Sequence, residues 1–268
     1  MIKNTFSLLQ GIGEKLEKRL WETGILTWDD FLAADAISFM SAEKKMFYDA
    51  ALAVASNNLI RKNQEFFFKT LKQKDHWRLF PFFKNAAVAL DIETNGYPPY
   101  AGGHTTVVGL YDGFDYKTLV KGKGLCKEIL EQELSGYKYL ITFFGSGFDL
   151  PFLREEFGIN IMLPHFDLCF AGWKAGLKGG LKRVEETLGI KRDDSVKGFD
   201  GFDAVRLWIA AQLGSTEAFE LLITYNRCDT MNLFELADIV YEKLKIKTGV
   251  GKYAGKSDPL NQLANTNI

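Results

Sequence analysis

Two carboxylates interrupt a run of small apolar residues in AAVALDIETNG, and this constrains the chain more than any other segment. Ala86 to Leu90 reads as a buried strand. Asp91 and Glu93 follow two residues apart, and side chains two apart on a strand face the same side. Acids there lose hydration and repel each other, so the fold has to supply partners for them. Two further acids sit in comparable settings, Asp149 in FFGSGFDLPFL and Asp229 in YNRCDTMNL. Four carboxylates gathered at one place require divalent cations, and cations held by oxygen ligands point to phosphoryl chemistry.

Each segment also has a plainer reading. Lone D-x-E pairs are mostly solvated. Asp149 opens a helix and fits an N-cap, although Gly145 and Gly147 allow a tight backbone path close to a ligand. Tyr225 and Asp229 stand one helical turn apart on one face, where a surface acid beside a half-buried tyrosine is an ordinary arrangement.

The rest of the chain limits the function classes. Its 268 residues suffice for one large domain or a small one plus a medium one, and 47% hydrophobic residues supply a sizeable core. The net charge of −1 gives no global attraction to nucleic acid, so any such site is a local basic surface. Cys126, Cys169 and Cys228 are odd in number and lack CxxC spacing, which argues against a zinc site and a disulfide framework. Gln10, Gly11, Gly13 and Glu14 break the N-terminal apolar run, and no stretch approaches the roughly 18 apolar residues of a spanning helix. The expectation is a cytoplasmic protein without a membrane partner.

Pattern divides the chain in three. Residues 1–75 read as a small helical domain: Glu14 to Trp21, a helix after the Thr27 cap, one from Ser41 to about Asn57, and one through Phe66 to Leu71. Residues 76–246 begin with strands at AAVALDIE, TTVVGLY and DYKTLV, with Asp112-Gly113 as a hairpin signal. A helix at about Leu125 to Leu134, a strand in KYLITFF, a helix at Leu150 to Phe157 and a short strand in MLPHFDL follow. From Leu181 the pattern is helical, closing with Thr224 to about Leu244, and residues 247–268 read as a flexible tail. The expected fold class is α/β, a mixed sheet with flanking helices preceded by a small helical domain.

Taken together, the acidic segments resemble the three motifs of the DEDD exonuclease superfamily, which has the RNase H-like fold. The order is D-x-E, then F-D at a helix start, then Y-x-x-x-D, with about 60 and about 80 residues between the acids. The tyrosine form is that of the DEDDy subclass; the histidine subclass would need His where this chain has Thr224. Within the superfamily, LKGGLKRVEETLGI (Leu177 to Ile190) is similar to YprB-like domains. Relatives carry Asn five positions before the second-motif aspartate, whereas this chain has Phe144.

The resemblance implies a 3′→5′ exonuclease using two divalent cations, Mg²⁺ or Mn²⁺. Asp91 would bridge both, Glu93 and Asp229 would hold the one that makes the nucleophile, and Asp149 would support the other. Tyr225 would orient the attacking water. Thr94, Asn95 and Gly96 would lie by the terminal nucleotide. Phe148 either stacks on a base or packs under the loop. Lys178 and Lys182, with Lys174 and Arg183 at helix-like intervals, either line the substrate groove or form a solvated helix face. His104 and His165 lack partners at ligand spacing, and Asp167 reads as structural.

Leu8 to Leu32 resembles a helix-hairpin-helix DNA-binding element. Gly11 and Gly13 would offer backbone N–H groups to a phosphate, and Lys15, Lys18 and Arg19 would add charge. The expected partner is therefore nucleic acid, DNA favoured over RNA. Two alternatives stay open: a nucleic-acid-binding module with a nuclease-like scaffold, and an endonuclease using the same site.

Overall fold

In the computed structural model, which describes residues 1–249 and Lys252, local sequence signals account for most of the first helices. Helix α1 (Glu14–Glu22) starts after Gly13 and stops before Gly24, whose φ of 89° suits glycine. Helix α2 (Trp28–Ala33) begins with a capping box: the Thr27 hydroxyl accepts from the Asp30 N–H at 3.1 Å, and the Asp30 carboxylate accepts from the Thr27 N–H at 2.8 Å. Helices α3 (Ala42–Ile60), α4 (Gln64–Thr70) and the four-residue α5 (Phe80–Phe83) follow. Phe6, Leu20, Trp28, Phe31, Tyr48 and Leu52 are fully buried. Buried Glu17 accepts from the Phe6 N–H at 2.7 Å and pairs with Arg78 at 2.8 Å, so its charge is satisfied within the fold.

The chain divides into two compact units, Met1–Phe82 with the described residues from Tyr241 onward, and Phe83–Val240. The second unit is built on β1 (Ala87–Thr94), β2 (Thr105–Tyr111), β3 (Tyr116–Lys121), β4 (Gly124–Leu125), β5 (Tyr139–Thr142) and β6 (His165–Asp167). They form one six-stranded sheet in the order β4-β3-β2-β1-β5-β6. β1 pairs antiparallel with β2 and parallel with β5; β2–β3 is antiparallel and β5–β6 parallel. The mixed α/β architecture with flanking helices is the expected one. Asp112 shapes the β2–β3 hairpin by accepting from the N–H groups of Phe114 (2.9 Å) and Asp115 (2.8 Å).

The remaining helices are α6 (Lys127–Ser135), α7 (Asp149–Phe157), α8 (Leu168–Ala175), α9 (Leu181–Leu188), α10 (Gly201–Gln212) and α11 (Thr216–Thr248). Val88, Leu90 and Ile92 pack on one side of the sheet with Leu130, Leu140, Phe152 and Leu153. Residues alternate along β1, so Ala87, Ala89, Asp91 and Glu93 face the other side. There Val107 and Val120 pack with Trp208, Leu222 and Tyr225. Each fully buried aliphatic side chain contributes about 1.5–3 kcal/mol.

Four expectations need correction. Helix α8 was not anticipated; Asp167 caps it by accepting from the Cys169 N–H at 3.1 Å, a cap that strand-like HFDL conceals. The lysine series does not share one helix face, because Gly176 (φ 91°) and Gly179 (φ 116°) separate α8 from α9. Helix α11 starts at Thr216 rather than Thr224. It also continues through Lys247 and Thr248, the first residues of the expected tail; beyond Gly249 that tail lies outside the described residues, apart from Lys252.

Candidate active site

Asp91 and Glu93 reach the α11 side of the sheet because β1 alternates. The antiparallel register places Gly109 opposite Asp91. A Cβ at Gly109 would lie 2.1 Å from the Asn226 side-chain oxygen and 2.4 Å from the Thr230 hydroxyl. The missing side chain therefore lets α11 approach the strands and carry Tyr225 and Asp229 to the same place. The register shifts between Glu93, opposite Val107, and Thr94, opposite Thr105, an irregularity of the kind common beside sites.

Asp91, Glu93 and Asp229 each offer one carboxylate oxygen within 4.8 Å of the others. Asp149 joins them from α7. It is the first residue of that helix rather than its cap, and its carboxylate accepts from the Ile92 N–H, between the two β1 acids, at 3.1 Å. That hydrogen bond replaces the N-cap reading.

The electrostatics follow from this crowding. Burial raises the Asp91 carboxyl well above the usual range, with further contributions from Glu93, Asp229 and Asp149. Glu93 is also raised well above its usual range, by burial and then by Asp229. Burial pushes Asp149 up to about 7 against the hydrogen bonds that its carboxylate accepts. Burial raises the Tyr225 hydroxyl above the ordinary tyrosine value, and Asp229 adds to this, so Tyr225 remains protonated at neutral pH.

Polar side chains brace the acids. The Asn226 amide donates to Asp91 at 2.9 Å and to Glu93 at 3.4 Å, while its oxygen accepts from the Tyr116 hydroxyl at 2.8 Å. Lys182 donates to the Tyr225 hydroxyl at 2.5 Å. The Arg192 guanidinium pairs with Asp229 and with Glu185, and Glu185 accepts from Asn232 at 2.9 Å. Asn226, Arg192, Glu185 and Tyr116 were not identified from sequence. Asn226 lies within the third acidic segment, but its role depends on the Gly109 gap; the other three carry no spacing signal.

The grouped side chains Asp91, Glu93 and Asp229 are all carboxylates, with neither His nor Cys among them, which suits hard divalent cations rather than zinc. Burial first, and then repulsion from neighbouring acids, raises the Asp91 and Glu93 carboxyls, and divalent cations held there would offset that repulsion. An acidic cluster of this kind fits the expected metal chemistry.

The other sequence candidates separate. Thr94, Gly96 and Phe148 line a cleft of about 680 Å³ with Pro98, Phe152 and Phe202. Asn95 instead braces its own loop, accepting from the His104 N–H at 3.0 Å and donating to the Gly102 carbonyl at 3.2 Å. Phe148 is half exposed and its ring packs 5.7 Å from that of Phe152. Lys182 belongs to Tyr225, while Lys178 is exposed between α8 and α9. Gly11 (φ 84°), Gly13, Lys15, Lys18 and Arg19 belong to the first unit. There Lys18 lies 3.7 Å from Glu22, and Arg19 lies over the Phe39 ring at 4.2 Å. His165 is buried and bonded to the Thr142 hydroxyl at 2.8 Å, in keeping with a structural histidine.

A sequence profile of the RNase_H superfamily matches residues 88–241, a span that includes all four acids and Tyr225. No curated protein sequence matches closely enough to count as a relative. Among solved structures, Brucella melitensis NrnC with bound Mg²⁺ is 24% identical over 63% of this chain and 78% of that one, with a TM-score of 0.46. Escherichia coli RNase D, an exoribonuclease involved in structured RNA processing, is 18% identical over 72% of this chain and 48% of that one, with a TM-score of 0.45. The family B DNA polymerase from the archaeon Pyrobaculum calidifontis is 14% identical over 66% of this chain and 26% of that one, with a TM-score of 0.47. Among the described residues no helix is long and apolar enough to cross a membrane. With the profile covering more than half of the residues, the chain belongs to the RNase_H superfamily.

Proposed function

We propose that this protein is a divalent-metal-dependent 3′→5′ exonuclease of the DEDDy type that hydrolyses phosphodiester bonds in nucleic acid. The observation that carries this reading is the meeting of Asp91, Glu93 and Asp229 within 4.8 Å, with Asp149 bonded to the backbone between the first two. The 3′→5′ polarity rests on the resemblance to the DEDD superfamily, and the subclass on Tyr225. The YprB-like likeness rests on Leu177 to Ile190, the stretch that supplies Lys182 and Glu185.

Two Mg²⁺ or Mn²⁺ ions held by Asp91, Glu93, Asp149 and Asp229 would neutralise the scissile phosphate and stabilise the attacking and leaving oxygens. The chain's own side chains do the rest. Tyr225 keeps its proton, so its hydroxyl orients the attacking water rather than deprotonating it. Lys182 fixes that hydroxyl. Asn226 holds the Asp91 and Glu93 carboxylates in one orientation. Arg192 supplies the counter-charge to Asp229 in the metal-free protein. The cleft beside Thr94, Gly96 and Phe148 is the place for the terminal nucleotide.

The first unit enters the proposal as a phosphate-binding element through Gly11, Gly13, Lys15, Lys18 and Arg19. Gly13 starts α1 without a side-chain cap, leaving backbone N–H groups for an anion, whereas Glu14 in the first turn opposes one. Charge reversal of Lys15, Lys18 and Arg19 tests it: the salt slope of binding falls by nearly one for each phosphate that is no longer neutralised. An unchanged slope removes the helix-hairpin-helix role.

The decisive experiment digests 5′-labelled single-stranded DNA and matched RNA in Mg²⁺ and in Mn²⁺, beside Asp91→Ala and Asp229→Ala. A ladder shortening from the 3′ end, absent in both variants, supports the exonuclease and names its substrate, DNA being the expected one. Internal cuts keep the metal chemistry and make the enzyme an endonuclease. Binding without cleavage on any substrate leaves the nucleic-acid-binding module.

A further inference from the structure

Phe144 has a φ of 64°. A bulky residue held in the left-handed region is strained, and such strain persists only where its surroundings impose it. Here the Asp167 carboxylate accepts from the N–H groups of Phe144 and Ser146, both at 2.9 Å. The ring lies against Gly147, where a Cβ would come within 2.4 Å of it. The same tight turn leads directly into Asp149. All of this holds an aromatic ring that is 42% exposed.

That ring is the first of three. Phe144 lies 5.8 Å from Phe170, and Phe170 lies 5.4 Å from Trp173. Phe170 and Trp173 are three residues apart on α8 and share a face; they are 45% and 51% exposed. Contiguous exposed aromatics mark a binding surface rather than a core. The placement points to a ligand. Strand pairing aligns Ala89 with Ile141 and Thr142 with Asp167, so the carboxyl ends of β1, β5 and β6 open on the same edge. Two strand spacings of about 4.8 Å put the start of α8 on the order of 10 Å from the β1 acids. Lys174, Lys178 and Arg183 follow along the chain, and the last two are exposed.

We propose that Phe144, Phe170 and Trp173 form a stacking platform for the bases of single-stranded nucleic acid, guiding the strand to the acidic site while the following basic residues meet its phosphates. This rests on the nuclease reading above. Stacking tolerates any base, so the platform adds affinity with strand length and not with sequence.

The test measures fluorescence anisotropy of labelled dinucleotides and decanucleotides, DNA and RNA, with the intact protein in Ca²⁺. The variants are Phe170→Ala/Trp173→Ala, Trp173→Ala alone and Trp173→Phe. The wild type is expected to bind the decanucleotide more tightly than the dinucleotide. Each ring removed should cost about tenfold on the decanucleotide, and Trp173→Phe should keep most of the affinity. Because both side chains are half exposed, the single alanine variant provides the comparison if the double one fails to fold. Undiminished decanucleotide affinity in either alanine variant overturns the platform. So does a wild-type oligomer that the alanine variants dissociate, since the rings then join copies of the chain. If the wild type cleaves nucleic acid while the alanine variants bind normally, only the platform falls. If the wild type neither binds nor cleaves, the nuclease reading falls with it.

Discussion

Asp149→Asn is expected to stabilise the metal-free protein at neutral and higher pH. The Asn oxygen can still accept from the Ile92 N–H at the 3.1 Å position, so the link between α7 and β1 survives. What disappears is a charge. The Asp149 carboxyl is raised to about 7 in the folded chain, against an ordinary value of about 3.9 unfolded. Between those values the folded state keeps a proton that the unfolded state has released. Stability therefore falls as pH rises through that window, by about 1.4 kcal/mol per pH unit. Over about three units this reaches about 4 kcal/mol, an upper limit because a buried amide also loses hydration. At roughly 2–4 °C per kcal/mol for a chain of this size, the variant should melt up to about 16 °C higher at pH 8 in EDTA. The gain should shrink as pH is lowered toward 5, where the wild-type carboxyl holds its proton. Saturating Mn²⁺ should reverse the order, because only an intact site gains binding energy on folding. Calorimetry at the two pH values checks this. A variant that melts below wild type at pH 8 in EDTA, or a difference independent of pH, would refute the reasoning.

Three further substitutions probe the braces. Gly109→Ala drives a methyl group into Asn226 and Thr230, so the urea midpoint should fall by an amount equivalent to about 1–3 kcal/mol; an unchanged midpoint would mean α11 can retreat freely. Arg192→Ala leaves Asp229 and buried Glu185 without their shared cation, at a cost of about 3–5 kcal/mol in EDTA. Mn²⁺ should restore part of that loss, and equal losses with and without metal would argue against a metal at Asp229. Lys182→Met frees the Tyr225 hydroxyl and should lower kcat by up to about 10²-fold with little change in KM. Combining it with Tyr225→Phe should add almost nothing, and full additivity in kcat would show that the two act separately.

Alternation alone put Asp91 and Glu93 on one face of a strand, and helical spacing did the same for Tyr225 and Asp229. Those are local periodicities, and they were legible together with the β2–β3 hairpin and the Thr27 cap. Helix α8 was missed because its cap, Asp167, ends a strand and its glycines imitate a loop. Arg192 was missed because an ion pair across 37 residues leaves no mark in the spacing. The choice between Asp149 as a cap and Asp149 as a member of the acidic group also lay outside the sequence. In the structure Asp149 accepts from the Ile92 N–H between the two β1 acids, a contact that depends on how α7 packs against β1. The sequence by itself determined which residues can share a face, because backbone geometry repeats at fixed periods. Only the tertiary structure decided which faces meet, through the Gly109 gap that admits α11 and the Asp167 brace that turns Phe144 outward, because the meeting of distant segments depends on packing rather than on period.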